Sequence, residues 1–230
     1  TIMAKDIVWY GGHYPITYAI KDKCKLAVRT ALDMFSSDMK DVTGRKAIQA
    51  SPTNATIEIT QLDMASNSTK KRLKSMNVPV DEIAMKAECF DIRTNNNGKI
   101  IITGSDTRGT AYGILELSRM AGVSPWTWWA DSKPMHKDIL TINDDFKTTQ
   151  SPSVKYRGIF INDEDWSMRP WSWKTYEKGN ETGCIGAKTY KQIFKLLLRL
   201  RANTIWPAMH GGTVPFYFAK GTKETADSCG

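Results

Sequence analysis

Three consecutive carboxylates follow an apolar run in the second half of the sequence. Residues 158–161, Gly-Ile-Phe-Ile, have the composition of a buried strand, and Asp163, Glu164 and Asp165 come directly after Asn162. Because strand residues alternate faces, we expect at least one of these acids to face the space above the strand end. Glycoside cleavage needs two carboxyl groups across the scissile bond. The acidic run can supply one of them, hydrogen-bond sugar hydroxyls, or form a solvated capping loop.

Tryptophan is abundant, and six of the eight tryptophans fall in two clusters. A tryptophan on a loop offers a flat apolar face with a polar N–H group, which suits stacking on the C–H face of a sugar ring. The alternative is that both clusters pack the joint between two domains. The first cluster contains Trp126, Trp128 and Trp129, and the second contains Trp166, Trp171 and Trp173.

Other side chains in this half could hold a substrate. Arg169 lies in the second tryptophan cluster and could bind a sugar carboxylate in bidentate fashion, or be an ordinary surface arginine. His210 could bind substrate or be satisfied by backbone groups. It has no metal-ligand spacing with His13 or His136, so neither a metal nor a cofactor is predicted. We also assign Trp129, Trp166, Trp171 and Trp206 to substrate contact.

The acidic run has to be positioned by the elements around it. Residues 188–201 have helical spacing with a broad apolar face, and residues 203–210 form a second strand that ends at His210. Strand, helix and strand with short joins form a parallel β/α unit. In a (β/α)8 barrel the chemistry lies at the carboxyl ends of the strands. The pattern therefore predicts the opening of a TIM barrel, with Asp163, Glu164 and His210 at its catalytic end.

The first half predicts a mixed α/β sandwich. A helix over 23–42 is expected with Asp22 as N-cap and Gly44 at its C-terminal end, and Asn97-Gly98 predicts a hairpin. The glycine-rich segment 104–117 either holds a phosphate or lets a helix lie tightly on the sheet. Further strands are predicted at 16–20, 47–50, 56–61, 89–93 and 99–103, with a surface helix within 66–76.

A polar linker places the domain boundary near residue 150, giving domains 1–150 and 151–230. Because a barrel needs about 250 residues, we expect the second domain to be incomplete and its strand edge to favour homo-oligomers. The net charge of +8 is spread without a concentrated basic stripe, so a nucleic-acid partner is not expected. The cysteines are far apart, which gives no zinc pattern, and no apolar run could span a membrane.

Several long segments resemble glycoside hydrolase family 115, whose characterised members are xylan α-1,2-glucuronidases. They are YRGIFINDEDW, TYKQIFKLLLRLRANTIWPAMH, TGSDTRGTAYGILELSRMAGVSPWTWWAD and AVRTALDMFSSDMKDVTG. The resemblance implies a hexosaminidase-like leading domain, a TIM barrel, and inverting removal of glucuronic acid or its 4-O-methyl ether from xylan. A glucuronoxylan-type polysaccharide or oligosaccharide is then the expected substrate, and a secreted or periplasmic location is expected. The 230-residue chain by itself is expected to be inactive.

The family's Asn-Asp-Glu motif falls on Asn162, Asp163 and Glu164 of this sequence. The resemblance therefore nominates Asp163 and Glu164 as active-site carboxylates, with the roles of acid and base left open. Asp165 and His210 are added as substrate-binding residues. Two alternatives remain: another barrel glycosidase with the same leading domain, such as a family 67 glucuronidase or a hexosaminidase-like enzyme, and a carbohydrate-binding module that cleaves nothing.

Overall fold

The computed structural model describes residues 5–21, 24–162, 166–180, 183–209 and 211–230. The chain divides into two compact units, Thr1–Ser153 and Val154–Gly230. No helix in these described ranges is long and apolar enough to cross a membrane.

The first unit alternates strands and helices around a six-stranded sheet. The sheet order is β3-β2-β4-β6-β5-β8, while β1 and β7 form a separate antiparallel pair. Within the large sheet β3, β2, β4 and β6 are parallel. Strand β5 runs antiparallel to them, and β8 is antiparallel to β5, so β8 has the same direction as the parallel strands. The elements are β1 (Asp6–Tyr10), β2 (Thr17–Lys21), α1 (Leu26–Thr43), β3 (Ile48–Gln49), β4 (Ile57–Gln61), a 3₁₀ turn (Leu62–Met64), α2 (Asn67–Ser75), α3 (Val80–Ala84), β5 (Phe90–Thr94), β6 (Ile100–Gly104), α4 (Thr107–Met120), β7 (Leu140–Asn143) and β8 (Lys147–Gln150).

Helices cover the large sheet because its strands are apolar on both faces. Helix α1 packs against α4, and α4 lies on β6 and β5. Ile101 of β6 joins a buried apolar cluster with Leu73 of α2 and Ile83 of α3. The predicted α/β sandwich of mixed strand direction is therefore observed.

The first helix begins three residues later than predicted, at Leu26, and ends as predicted at Gly44, where φ is 79°. Its N-cap is Lys25, which makes no side-chain cap. Asp22, the predicted N-cap, lies outside the described residues. The Asn97-Gly98 hairpin is confirmed, because β5 and β6 are antiparallel neighbours on either side of it.

Tight packing explains the glycine-rich segment. The Asp106 side chain caps α4 by accepting a 2.8 Å hydrogen bond from Gly109 N. This carboxylate occupies the N–H group that a bound phosphate would need. A Cβ on Gly109 would overlap the carbonyl oxygen of Cys89 and lie 3.0 Å from its carbon. The glycine thus allows α4 to contact the segment that leads into β5, and the phosphate interpretation has no support.

The second unit contains a parallel β/α/β arrangement, as predicted. Ile205 lies opposite Ile159, and Trp206 lies opposite Phe160. The elements are β9 (Gly158–Phe160), α5 (Met168–Trp171), a π-helical turn (Ser172–Tyr176), α6 (Ala187–Arg199), β10 (Thr204–Trp206) and α7 (Thr222–Asp227).

Three expectations for the second unit were wrong. Strand β9 was predicted to be buried, but all three of its residues are exposed, and only Ile161 just beyond it is buried. Ile159 and Phe160 point to opposite faces, so within the described residues neither face of the short strand pair is fully covered. The tryptophan-rich segment after β9 is partly helical and is not a simple loop. The helix predicted over 188–201 ends at Arg199, so Leu200, which the pattern placed on its apolar face, is exposed.

Candidate active site

The carboxyl ends of β9 and β10 lie side by side. Ile161 N donates a 2.8 Å hydrogen bond to Trp206 O, so the ladder continues to the residue before Asn162. By this register Ile161 and Pro207 leave the sheet as neighbours. The Phe160 and Trp206 rings pack edge-to-face at 5.9 Å on the open side of the strands. The parallel pairing is the one that the sequence pattern predicts for a β/α unit.

Four of the predicted site residues lie outside the described residues: Asp163, Glu164, Asp165 and His210. The chain segments that carry them are bounded by described neighbours. Asn162 is exposed at the exit of β9, and Met209 is exposed after β10. Their assignment to the active site stays a prediction.

The indole of Trp171 packs on a tyrosine that is itself hydrogen-bonded to α6. Its ring stacks on Tyr176 at 5.1 Å with an interplanar angle of 4°. The Tyr176 hydroxyl accepts a 3.1 Å hydrogen bond from Gln192 Nε2 on α6. Trp166, by contrast, is 84% exposed. The structure thus fixes the plane of Trp171 and presents Trp166 to solvent.

Arg169 lies where the two strand-exit segments approach each other. A Cβ placed on Gly183 would be 3.8 Å from Arg169 Nη1 and 3.6 Å from Gly212 O. Gly183 precedes α6, and Gly212 belongs to the segment after β10. A guanidinium at this junction is suited to a bidentate contact with a carboxylate.

Glu177, a buried carboxylate that the sequence analysis did not identify, connects the segment after β9 to helix α6. Glu177 Oε1 accepts hydrogen bonds of 2.7 Å from both Thr189 N and Thr189 Oγ1. The Ser172 and Thr189 hydroxyls are also 2.7 Å apart. Glu177 therefore caps the first turn of α6 from outside the helix, where the macrodipole favours a negative charge. A cap ten residues before the helix start has no sequence signature, which is why the residue was overlooked.

Trp129 belongs to the first unit. Its ring packs edge-on against Trp128 with centroids 4.8 Å apart. Its contact with substrate stays a prediction. In the part of the chain that the structure describes, no group of three or more His, Cys, Asp or Glu side chains is placed to hold a metal ion.

Comparison with known proteins identifies relatives of this chain. Residues 149–230 match the sequence profile of glycosyl hydrolase family 115. A solved family 115 4-O-methyl-α-glucuronidase, with specificity for decorated arabinogalactans, is 42% identical over 97% of this chain, with a TM-score of 0.88. The chain spans only 29% of that enzyme's length. No match was found among curated proteins.

More distant solved structures share the fold alone. Flavobacterium johnsoniae chitobiase covers 100% of this chain at 12% identity, with a TM-score of 0.57, and 32% of its own length is matched. A mutant Streptomyces plicatus β-hexosaminidase covers 89% of this chain at 13% identity, with a TM-score of 0.52, and 32% of its length is matched. The likeness supports the hexosaminidase-type architecture and carries no activity over to this chain.

Proposed function

Because this chain belongs to glycoside hydrolase family 115, we propose that the full-length protein removes glucuronic acid or 4-O-methyl-glucuronic acid side chains from a polysaccharide. The observation that carries the proposal is the parallel pairing of β9 with β10. It places the carboxyl end of β9, which the Asn162-Asp163-Glu164 motif follows in the sequence, beside the carboxyl end of β10 at Trp206. The second unit is then the first part of a TIM barrel whose remaining strands lie elsewhere in the protein. Glucuronoxylan is the proposed substrate.

Each candidate site residue has a proposed role that follows from its side-chain chemistry. Asp163 and Glu164 are the proposed active-site carboxylates, and inversion requires a partner carboxyl group about 6.5–9.5 Å away, which leaves room for a water molecule. Arg169 is proposed to bind the uronic acid carboxylate. The indoles of Trp166, Trp171 and Trp206 would stack on sugar rings, while Asn162, Asp165 and His210 would hydrogen-bond their hydroxyls.

The test uses the full-length protein with glucuronoxylan and, because the family relative acts on them, with decorated arabinogalactans. We expect release of the uronic acid, with the β-anomer seen first by NMR if the reaction inverts an α-linkage. Asp163→Asn and Glu164→Gln should each lower kcat by at least about 100-fold. Failure to release uronic acid from either polymer would refute the proposal. Cleavage of an N-acetylhexosamine substrate assayed in parallel would favour the hexosaminidase-like alternative.

A carbohydrate-binding role without cleavage is the second candidate, and the exposure of Trp166 favours it. Calorimetry with xylan fragments separates the two. A pure binder would keep its affinity after Asp163→Ala and would show no product over long incubation. Extracytoplasmic location suits a polymer substrate and is proposed with it, while homo-oligomerisation through the β9–β10 edge stays a prediction.

A further inference from the structure

The segment after β10 displays two large aromatic rings next to each other. Phe216 is buried, whereas the following Tyr217 and Phe218 are 79% and 83% exposed. Of these three consecutive aromatic residues, the first is therefore buried and the other two face solvent. Two adjacent exposed rings offer a flat apolar surface on which a sugar can stack.

The backbone that carries these rings is ordered by several contacts. Phe218 N donates to Pro215 O at 2.9 Å, and Thr222 Oγ1 donates to the carbonyl groups of Phe216 and Ala219. The buried Phe216 ring packs edge-on against Tyr190 at 4.8 Å. Because the turn is held in place, binding to the two rings would cost little backbone entropy.

The turn lies at the edge where the strands exit. A Cβ on Gly221 would be 3.3 Å from Cβ of Ala187, the first residue of α6. Helix α6 follows the segment that connects it to β9. Gly183 in that connecting segment lies close to Gly212, which belongs to the segment after β10. In a barrel this edge is the substrate-binding face. Tyr217 and Phe218 are therefore on the side of the unit at which β9 and β10 end.

We propose that Tyr217 and Phe218 bind the main-chain sugars of the polysaccharide beside the side chain that is cleaved. The inference rests on the proposed function and adds a second contact surface to that site. Neutral aromatic rings suit the C–H faces of neutral pyranoses, and the Tyr217 hydroxyl can hydrogen-bond a sugar hydroxyl. The charged uronic acid instead requires a cation such as Arg169.

The experiment compares two substrates in the full-length protein. One is a branched xylo-oligosaccharide that carries a single uronic acid, and the other is the disaccharide of uronic acid and one xylose. We expect Tyr217→Ala and Phe218→Ala each to raise KM for the branched oligosaccharide about three- to tenfold, with kcat and the disaccharide kinetics unchanged. Tyr14→Ala is the matched control, because Tyr14 is 81% exposed in the first unit.

The outcomes separate the two claims. A wild-type protein that releases uronic acid from neither these two substrates nor the two polymers named above refutes the proposed function. A wild-type protein that cleaves both, with an unchanged KM ratio in the two variants, overturns the inference alone. A lower midpoint of thermal unfolding in Tyr217→Ala and Phe218→Ala, but not in Tyr14→Ala, would show that another part of the protein covers these rings and would also overturn it.

Discussion

Replacing Gly158 by alanine should separate the two strands that carry the candidate active site. A Cβ at this position would overlap the carbonyl oxygen of Thr204 and lie 2.6 Å from its carbonyl carbon. Comfortable carbon–carbon contact needs about 3.5–4.0 Å, so β10 would have to move by about 1 Å. Both sides of the clash are main chain or close to it, and no rotamer change can relieve it.

The magnitude follows from what that displacement breaks. Overpacking costs about 1–3 kcal/mol, and weakening two ladder hydrogen bonds, including the one from Ile161 N to Trp206 O, costs about 1 kcal/mol each. We therefore expect Gly158→Ala to lower the free energy of unfolding by about 3–5 kcal/mol. The loss would be measured by urea unfolding followed by circular dichroism, and hydrogen exchange at Ile161 should become faster.

Gly11→Ala is the control for the general effect of adding a methyl group. Its Cβ would meet Val8 Cγ1 at 3.6 Å, an ordinary contact distance, and we expect a change below about 1 kcal/mol. Equal stability of Gly158→Ala and Gly11→Ala would refute the close strand pairing, and with it the side-by-side ends of β9 and β10 on which the proposed function rests.

Two further predictions concern buried groups. Glu177→Ala should destabilise the second unit by about 1–3 kcal/mol in urea unfolding, because Thr189 loses its hydrogen-bond acceptor. Glu177→Gln should lose less stability because its side chain keeps one acceptor oxygen. Equal losses in the two variants would argue against the cap. Burial raises the pKa of Cys89 from 9.0 to about 11. The folded state then keeps a proton that the unfolded state releases, so stability should fall by up to about 3 kcal/mol between about pH 9 and pH 11. Unfolding measured across this range should show a smaller fall in Cys89→Ala, and an unchanged slope would contradict the shift.

Local patterns in the sequence were sufficient for the elements with strong periodicity or turn signals, whereas the short elements β1, β7, β8, α3, α5 and α7 were not predicted. The Asn97-Gly98 turn, the left-handed Gly44 cap and the spacing of apolar residues in α6 each depend on neighbours within a few positions. The parallel pairing of β9 and β10 also followed, because a strand, a crossover helix and a second strand of the same sheet have one favoured arrangement. These features are encoded locally and can be predicted from a window of residues.

Tertiary structure alone decided which surfaces are covered and which side chains hold the exit segments. The exposure of Phe160 and the split between Phe216 and its two neighbours depend on what packs above them, which no local pattern records. The same holds for Glu177, which reaches Thr189 across a turn, and for Arg169, which meets the second exit segment near Gly183. Contacts between residues distant along the chain form only when the whole chain has folded, and the geometry of this candidate site depends on them.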